Sequence, residues 1–369
     1  MQALILAGGE GTRLRPLTST VPKPVLPLVD RPFITFMLEW LRGHGVDDIV
    51  MSCGFMASGV RNVLGDGSQF GLRLRYVEEP RPLGTGGAIK FAEPLLDERF
   101  LALNGDVLTD LDLTAQIAQH ERTGARGTLA LMGVEDPLAY GLVNLHGDDS
   151  IAEFLEKPSS DQLGQIDTNL ISAGAYVLER DVLDLMEPEV NTSIEREVFP
   201  ALVGEGLYGF AGQGYWLDIG TPERYLQGTF DILERTVETP VGERIGETYL
   251  HVGERVEKAG RILPPAWVES GCRIDEGARI GSRAVLGHGV KVGRDTVVEH
   301  AVIHPGTEVG DACTIRDCVI GAGVRIGQGT HVEGGAVLGE GVTIGADNVI
   351  KAGARIFPGV SIPDGGILF

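Results

Sequence analysis

The sequence predicts an α/β fold in two parts: a Rossmann-like, mostly parallel sheet with helices, followed by a left-handed parallel β-helix of hexapeptide repeats. Three observations carry this expectation. Short apolar runs alternate with amphipathic segments as far as Leu233. From Ile274 onward the apolar positions recur almost every six residues. Glycine often follows the apolar residue of a repeat, as in Ile280-Gly281, Ile326-Gly327 and Ile344-Gly345. The expected divisions are 1–233 for the α/β domain, 234–265 for a linker with irregular first coils, and 266–369 for the β-helix.

In chain order, Leu4–Ala7 reads as a buried parallel strand, because a short continuous apolar run leaves no solvent face. Phe33–Arg42 has helical spacing, Asp48–Ser52 reads as strand, Ser58–Leu64 as helix and Leu72–Val77 as strand. Gly86–Phe91 opens a helix, Phe100–Leu103 is a strand, Leu113–Arg122 a helix and Thr128–Val134 a strand. A further helix begins near Pro222. Alternation of this kind implies parallel strands joined by crossover helices on both faces of the sheet. Ligands of such sheets bind beyond the carboxyl ends of the strands.

The second part has a different period. Apolar residues fall at Ile274, Ile280, Leu286, Val292 and Val298, then at Ile303, Val309, Ile315 and Ile320, and continue to Ile362. The steps from Val298 to Ile303 and from Ile315 to Ile320 are five residues long, which suggests tighter corners. A period of six fits neither a helix nor a hairpin but suits a triangular coil with one inward residue per face. The stretch from Glu234 to Pro265 carries Pro240, Pro264 and Pro265 and reads as a linker.

The chain has 369 residues, 43% of them hydrophobic, enough for a substantial core. A net charge of −21 argues against a nucleic-acid surface, which needs clustered Lys and Arg. Cys53, Cys272, Cys313 and Cys318 form no Cys-x-x-Cys pair and read as small buried filler in a reducing compartment. Met1 leads straight into the first strand, and no apolar run reaches membrane-spanning length. A soluble cytoplasmic protein with no membrane partner is expected.

The most informative segment follows the first strand. Ala7-Gly8-Gly9-Glu10-Gly11-Thr12-Arg13-Leu14-Arg15-Pro16-Leu17-Thr18 precedes Pro22-Lys23-Pro24. Closely spaced glycines expose backbone N–H groups to a phosphate, and Arg13, Arg15 and Lys23 add cationic donors. The spacing matches neither the dinucleotide fingerprint nor the P-loop. Taken together in this order, these motifs resemble the signature of the sugar-1-phosphate nucleotidyltransferases. Ser193-Ile194-Glu195-Arg196-Glu197-Val198-Phe199-Pro200 and Leu207-Tyr208-Gly209-Phe210 resemble the mannose-1-phosphate guanylyltransferases in particular. Ile194, Val198 and Phe199 have core spacing, so that run reads as structural.

The resemblance implies attack of a sugar-phosphate oxygen on the α-phosphorus of a nucleoside triphosphate, with Arg13, Lys23, Asp106, Lys157 and Asp218 as catalytic residues. It makes Asp106 and Asp218 ligands of Mg²⁺, in Leu103-Asn104-Gly105-Asp106 and Tyr215-Trp216-Leu217-Asp218. Asp110 and Asp112 nearby read as turn or N-cap residues. Nucleotide contacts are implied for Ala7, Gly8, Gly9, Gly11, Thr12, Arg13, Glu79, Pro82, Gly84, Thr85 and Gly105. Contacts to the sugar phosphate are implied for Tyr140, Gly141, Glu156, Lys157, Ser172 and Gly174. Taken alone, Glu156-Lys157 is an exposed charged pair and Asp106 a turn carboxylate. The family's Asn-Ala-Gly motif stands here as Ser172-Ala173-Gly174, which leaves the hexose open.

The residue aligned with the family's base-reading position is Glu79, with Glu78 one place away as the alternative. A carboxylate suits guanine, whose N1–H and N2–H₂ are adjacent donors. Uracil and thymine alternate acceptor, donor and acceptor, which suits an amide. The expected nucleotide is therefore GTP, and the resemblance implies mannose 1-phosphate as its partner, yielding GDP-mannose and pyrophosphate. The alternatives are a glucose-1-phosphate thymidylyl- or uridylyltransferase, a non-catalytic regulatory paralogue, and a bifunctional enzyme with an acyltransferase β-helix. His288, His300, His304 and His331 are acyltransferase candidates by type, but with no long insertion they read as solvated coil positions. The β-helix is then expected to assemble a homo-oligomer.

Overall fold

A computed structural model describes residues 1–159, 168–239, 243–245, 248–351 and 353–368, with backbone alone at 243–245 and 248. The chain forms two compact units. One contains Met1–Glu10 and Ile34–Trp216, the other Gly11–Phe33 and Leu217–Phe369.

The first unit is built on a nine-stranded sheet. Its centre is four parallel strands in the order Arg73–Glu78, Asp48–Cys53, Gln2–Ala7, Arg99–Asn104. Apolar residues line them because both faces are covered: Leu4, Val50, Phe100 and Ala102 have no exposed surface. The helices Ile34–Gly43, Ala57–Leu64, Gly84–Ala92 and Leu113–Thr123 fall within two residues of the expected ones, as do the strands. Asp112 caps the last of these helices by accepting the Ala115 N–H at 3.0 Å. Asp110 instead accepts the N–H of Tyr215, 105 residues on, at 2.6 Å, a tertiary contact and not the turn or N-cap role expected of it.

The parallel core does not extend through the whole sheet. Leu170–Glu179 runs antiparallel to Arg99–Asn104 and also pairs with Gly127–Gly133 and Gly141–Leu145. The outer strands are Ile151–Glu156 and Leu207–Ala211. Phe199, fully buried, lies edge-on to Phe154 and Tyr176 at 5.4 and 4.9 Å. Ile194, Val198 and Phe199 are core residues, as their spacing implied.

In the second unit, short parallel strands stack from coil to coil. Ile274 lies on Val292, eighteen residues on, so three six-residue steps close one coil. Val292 meets Val309 and Val309 meets Ile326 after seventeen residues, the two coils with a five-residue step. The expected tight corner is a strand that runs through it. Val297–Ile303 and Thr314–Ile320 are continuous, bent at His300 and Asp317, whose φ values are 49° and 46°. Coil pairing reaches back to Thr248–Val252, which pairs with Ala266–Val268. Ile274, Ile280, Leu286 and their successors form one continuous core.

All four cysteines are free and buried, and burial pushes the Cys53 thiol up to about 12 and that of Cys272 to about 11. They are filler, not nucleophiles. His304 corrects the expectation of solvated histidines: it is 6% exposed, and burial depresses its imidazole from 6.5 to about 4. The unfolded chain then binds a proton that the folded chain refuses, so this residue's contribution to stability weakens as pH falls from 6.5 towards 4. Between pH 7 and 5 the loss should be about 2 kcal/mol. Denaturant unfolding of the wild type and His304→Gln at both pH values measures it, because the variant lacks that share of the slope.

Candidate functional site

In the first unit, strand register brings four loops to one edge of the sheet. Ala7 pairs with Cys53 and Cys53 with Glu78, while Leu6 pairs with Asn104. Gly8, Gly54, Glu79 and Gly105 therefore follow their strands side by side. Gln2–Ala7 lies between Asp48–Cys53 and Arg99–Asn104, the point where strand order reverses and where α/β sheets open a ligand crevice. Gly105 is required here: its N–H donates to the Leu6 carbonyl at 2.9 Å, and a Cβ on it would lie 2.7 Å from that oxygen. Asp106 is thereby turned off the strand end.

Glu79, not Glu78, is directed at the glycine loop. A Cβ on Gly8 would lie 3.0 Å from Glu79 Oε1, whereas Glu78 is exposed. Ser52 Oγ donates to Glu79 Oε1 at 3.0 Å, and the Leu83 N–H donates to Oε2 at 3.3 Å. Ser52 is fully buried on its strand. Pro82 and Gly84 lie exposed beside this carboxylate; the Pro82 carbonyl accepts from Asn191 Nδ2 at 3.1 Å, and Gly84 has φ of 73°. Thr85 Oγ1 donates to Glu195 Oε2 at 2.6 Å and accepts the Ile194 N–H at 3.0 Å.

A second cluster forms around Glu156. Gly141 pairs with Glu156 across two antiparallel strands, and the Lys157 N–H donates to the Tyr140 carbonyl at 3.0 Å. Lys157 has φ of 51°, a left-handed conformation that a residue with a side chain adopts only under local constraint. Its ammonium lies 3.6 Å from Glu156 Oε1 and is well exposed. Burial, then the Glu195 carboxylate, holds the Glu156 carboxyl above its ordinary pKa, with Lys157 opposing. Tyr140 meets Trp216 edge-on at 5.2 Å, and Trp216 Nε1 donates to the Ala173 carbonyl at 2.8 Å. The register of Leu170–Glu179 shifts between Ser172 and Tyr176, and Gly174 there has φ of 73° against Asn104. Such a bulge re-aims neighbouring groups. Ser172 Oγ donates to the Tyr176 hydroxyl at 3.4 Å.

The second unit holds the remaining residues. Gly11, at φ of 60°, precedes the 3₁₀ turn Thr12–Leu14, and its carbonyl accepts from Thr18 Oγ1 at 2.7 Å. Lys23 is buried, its Cβ against Gly11. Asp218 Oδ2 faces two guanidinium groups, Arg13 at 3.9 Å and Arg224 at 3.6 Å. Asp218 is 15% and Arg13 65% exposed in their side chains, so Arg13 reaches out from a fixed carboxylate towards solvent.

Three residues of these clusters are not marked out by the sequence: Glu195 stands in a core-spaced run, Trp216 is two residues before Asp218, and Ser52 belongs to no motif. For Glu195 a glutamate amid core-spaced apolar residues was the available clue. As metal ligands, Asp106 in the first unit and Asp218 in the second each offer carboxylate oxygens, hard donors of the kind Mg²⁺ takes. Among the described residues no cluster of three or more His, Cys, Asp or Glu is gathered to hold an ion, so substrate and water oxygens would complete the shell. No helix among the described residues is long and apolar enough to cross a membrane.

The chain is similar to known proteins along most of its length. The family model described as "Nucleotidyl transferase" matches residues 2–235, and that described as "GMPPB C-terminal domain" matches 262–364. The mannose-1-phosphate guanylyltransferase of Mycobacterium tuberculosis is 37% identical over 86% of this chain and 83% of its own length. The mannose-1-phosphate guanyltransferase of Candida albicans is 34% identical over 92% and 91%. A solved structure of HddC from Yersinia pseudotuberculosis, complexed with GMP-PN, is 26% identical with a TM-score of 0.52, over 62% of this chain and 97% of that one. A structure from Bacillus anthracis described as a "Putative Glucose-1-Phosphate Thymidylyltransferase", 23% identical with a TM-score of 0.58, covers 66% of this chain and 98% of its own and shares the fold.

Proposed function

Because this chain belongs to the nucleotidyl transferase family, we propose that it joins mannose 1-phosphate to GTP, forming GDP-mannose and releasing pyrophosphate. The observation that carries the choice of base is Glu79, whose carboxylate is held beside Gly8 by Ser52 and the Leu83 N–H. A fixed two-oxygen acceptor suits the paired donors of guanine.

In this reading a sugar-phosphate oxygen attacks the α-phosphorus in line, the bond to the bridging oxygen of the β-phosphate breaks, and pyrophosphate leaves with that electron pair. No proton need move. The protein's task is to hold two anions together and spread their charge. Backbone N–H groups at Gly8, Gly9 and Gly11, with Arg13 and Lys23, serve the triphosphate. Lys157 serves the sugar phosphate, and Glu156 accepts from sugar hydroxyls beside Tyr140 and Gly141. Asp106 and Asp218 would hold Mg²⁺, which when bound neutralises charge on the phosphate oxygens. The α/β portion 1–233 supplies the chemistry, and the β-helix assembles copies of the chain.

The test is pyrophosphate release from each of four nucleoside triphosphates paired with several sugar 1-phosphates. GTP with mannose 1-phosphate should be the best pair. Preference for dTTP with glucose 1-phosphate would overturn the substrates while leaving the reaction class standing.

A further inference from the structure

His304 belongs to the β-helix, yet its ring is turned onto the helix Pro222–Leu233. It stacks on Tyr225 with centroids 6.3 Å apart and planes 23° from parallel, and its Nε2 lies 3.2 Å from the Tyr225 hydroxyl. That hydroxyl also bonds the Pro27 carbonyl. A carbonyl only accepts, so the single tyrosine hydrogen goes to Pro27 and His304 donates through Nε2–H. Tyr225 is 1% exposed, so water does not compete for these bonds.

Pro27 leads back to Lys23. The strand pair Pro27–Leu28 and Arg31–Pro32 is closed by the Phe33 N–H donating to the Leu26 carbonyl at 2.9 Å. The Leu26 N–H donates to the Lys23 carbonyl at 3.1 Å, closing the turn that carries the lysine. Pro22, Pro24, Pro27 and Pro32 lack N–H groups, so four positions of this segment offer the backbone only as an acceptor. The Pro27 carbonyl adds one more hold on it. Its whole length, Gly11–Phe33, belongs to the same compact unit as the β-helix.

We propose that His304 and Tyr225 are positioning residues for the reaction: the β-helix, besides assembling copies of the chain, fixes the Lys23 segment through a hydrogen-bond chain from His304 to Tyr225 to Pro27. This rests on the reading that Lys23 engages the triphosphate. Small displacements of a group that stabilises a transition state cost up to about a hundredfold in rate.

Tyr225→Phe keeps the ring and removes both bonds; His304→Ala removes the donor; His304→Gln restores an N–H. Turnover should fall between about ten- and a hundredfold in Tyr225→Phe and His304→Ala, with KM for the sugar 1-phosphate unchanged, and recover largely in His304→Gln. Hydrogen exchange at residues 20–33 should quicken in the two impaired proteins and not in His304→Gln. Lys23→Ala is the control. If it is inactive while Tyr225→Phe and His304→Ala turn over like wild type, the positioning role is refuted and the Lys23 reading stands. If Lys23→Ala is fully active, the functional reading itself falls, and this inference with it. An impaired His304→Ala that His304→Gln does not rescue would reduce His304 to packing and overturn the hydrogen-bond chain.

Discussion

Asp106→Asn and Asp218→Asn should each lower turnover by about two to three orders of magnitude while leaving the fold intact. Asparagine keeps the shape and one acceptor oxygen but loses the charge that a hard divalent cation requires. The structural cost is small. Asp218 meets Arg13 and Arg224 at 3.9 and 3.6 Å, and Arg13 is largely exposed, so these pairs contribute at most about 1 kcal/mol. Thermal unfolding should therefore shift little, whereas the Mg²⁺ concentration for half-maximal rate should rise steeply. Asp110→Asn is the control: its carboxylate accepts the Tyr215 N–H, so Mg²⁺ dependence should not move. An unchanged Mg²⁺ requirement in both Asp106→Asn and Asp218→Asn would remove these residues as metal ligands.

Glu79→Gln should cost about ten- to a hundredfold in preference for GTP over UTP or dTTP. A charged acceptor for guanine is lost, worth roughly 1.5–3 kcal/mol, and an amide donor suited to a pyrimidine is introduced. The side chain should stay in place. With its oxygen towards the Leu83 N–H, the amide nitrogen can donate to Ser52 Oγ, whose hydroxyl accepts as readily as it donates. Glu78→Gln, on an exposed residue, should change little. The ratio of kcat/KM for GTP to that for dTTP in the three proteins decides the matter. An unchanged ratio in Glu79→Gln removes Glu79 as the base reader.

Much of the molecule was legible in the sequence. The strands from Gln2–Ala7 to Gly127–Gly133 and the helices between them lie within two residues of expectation, since each buries a face with a local period. The β-helix was clearer still. A six-residue repeat has a single geometric solution, and even its two shortened steps could be placed. The glycine loop, the candidate aspartates and the Glu-Lys-Pro run were visible as residues because they recur as motifs.

What the sequence could not convey were contacts made by single residues across long separations. The antiparallel strand Leu170–Glu179 shifts register against Gly127–Gly133 between Ser172 and Tyr176, around Gly174, and no periodicity announces it. Ser52 reaches Glu79, Thr85 reaches Glu195 and Trp216 reaches Ala173 through one hydrogen bond each. His304 looked like any other corner of the repeat until Tyr225 was seen to cover it. A period reports burial along the chain, because every repeat meets the same environment. A lone polar contact has no repeat, and only the tertiary structure decides which distant partner closes over it.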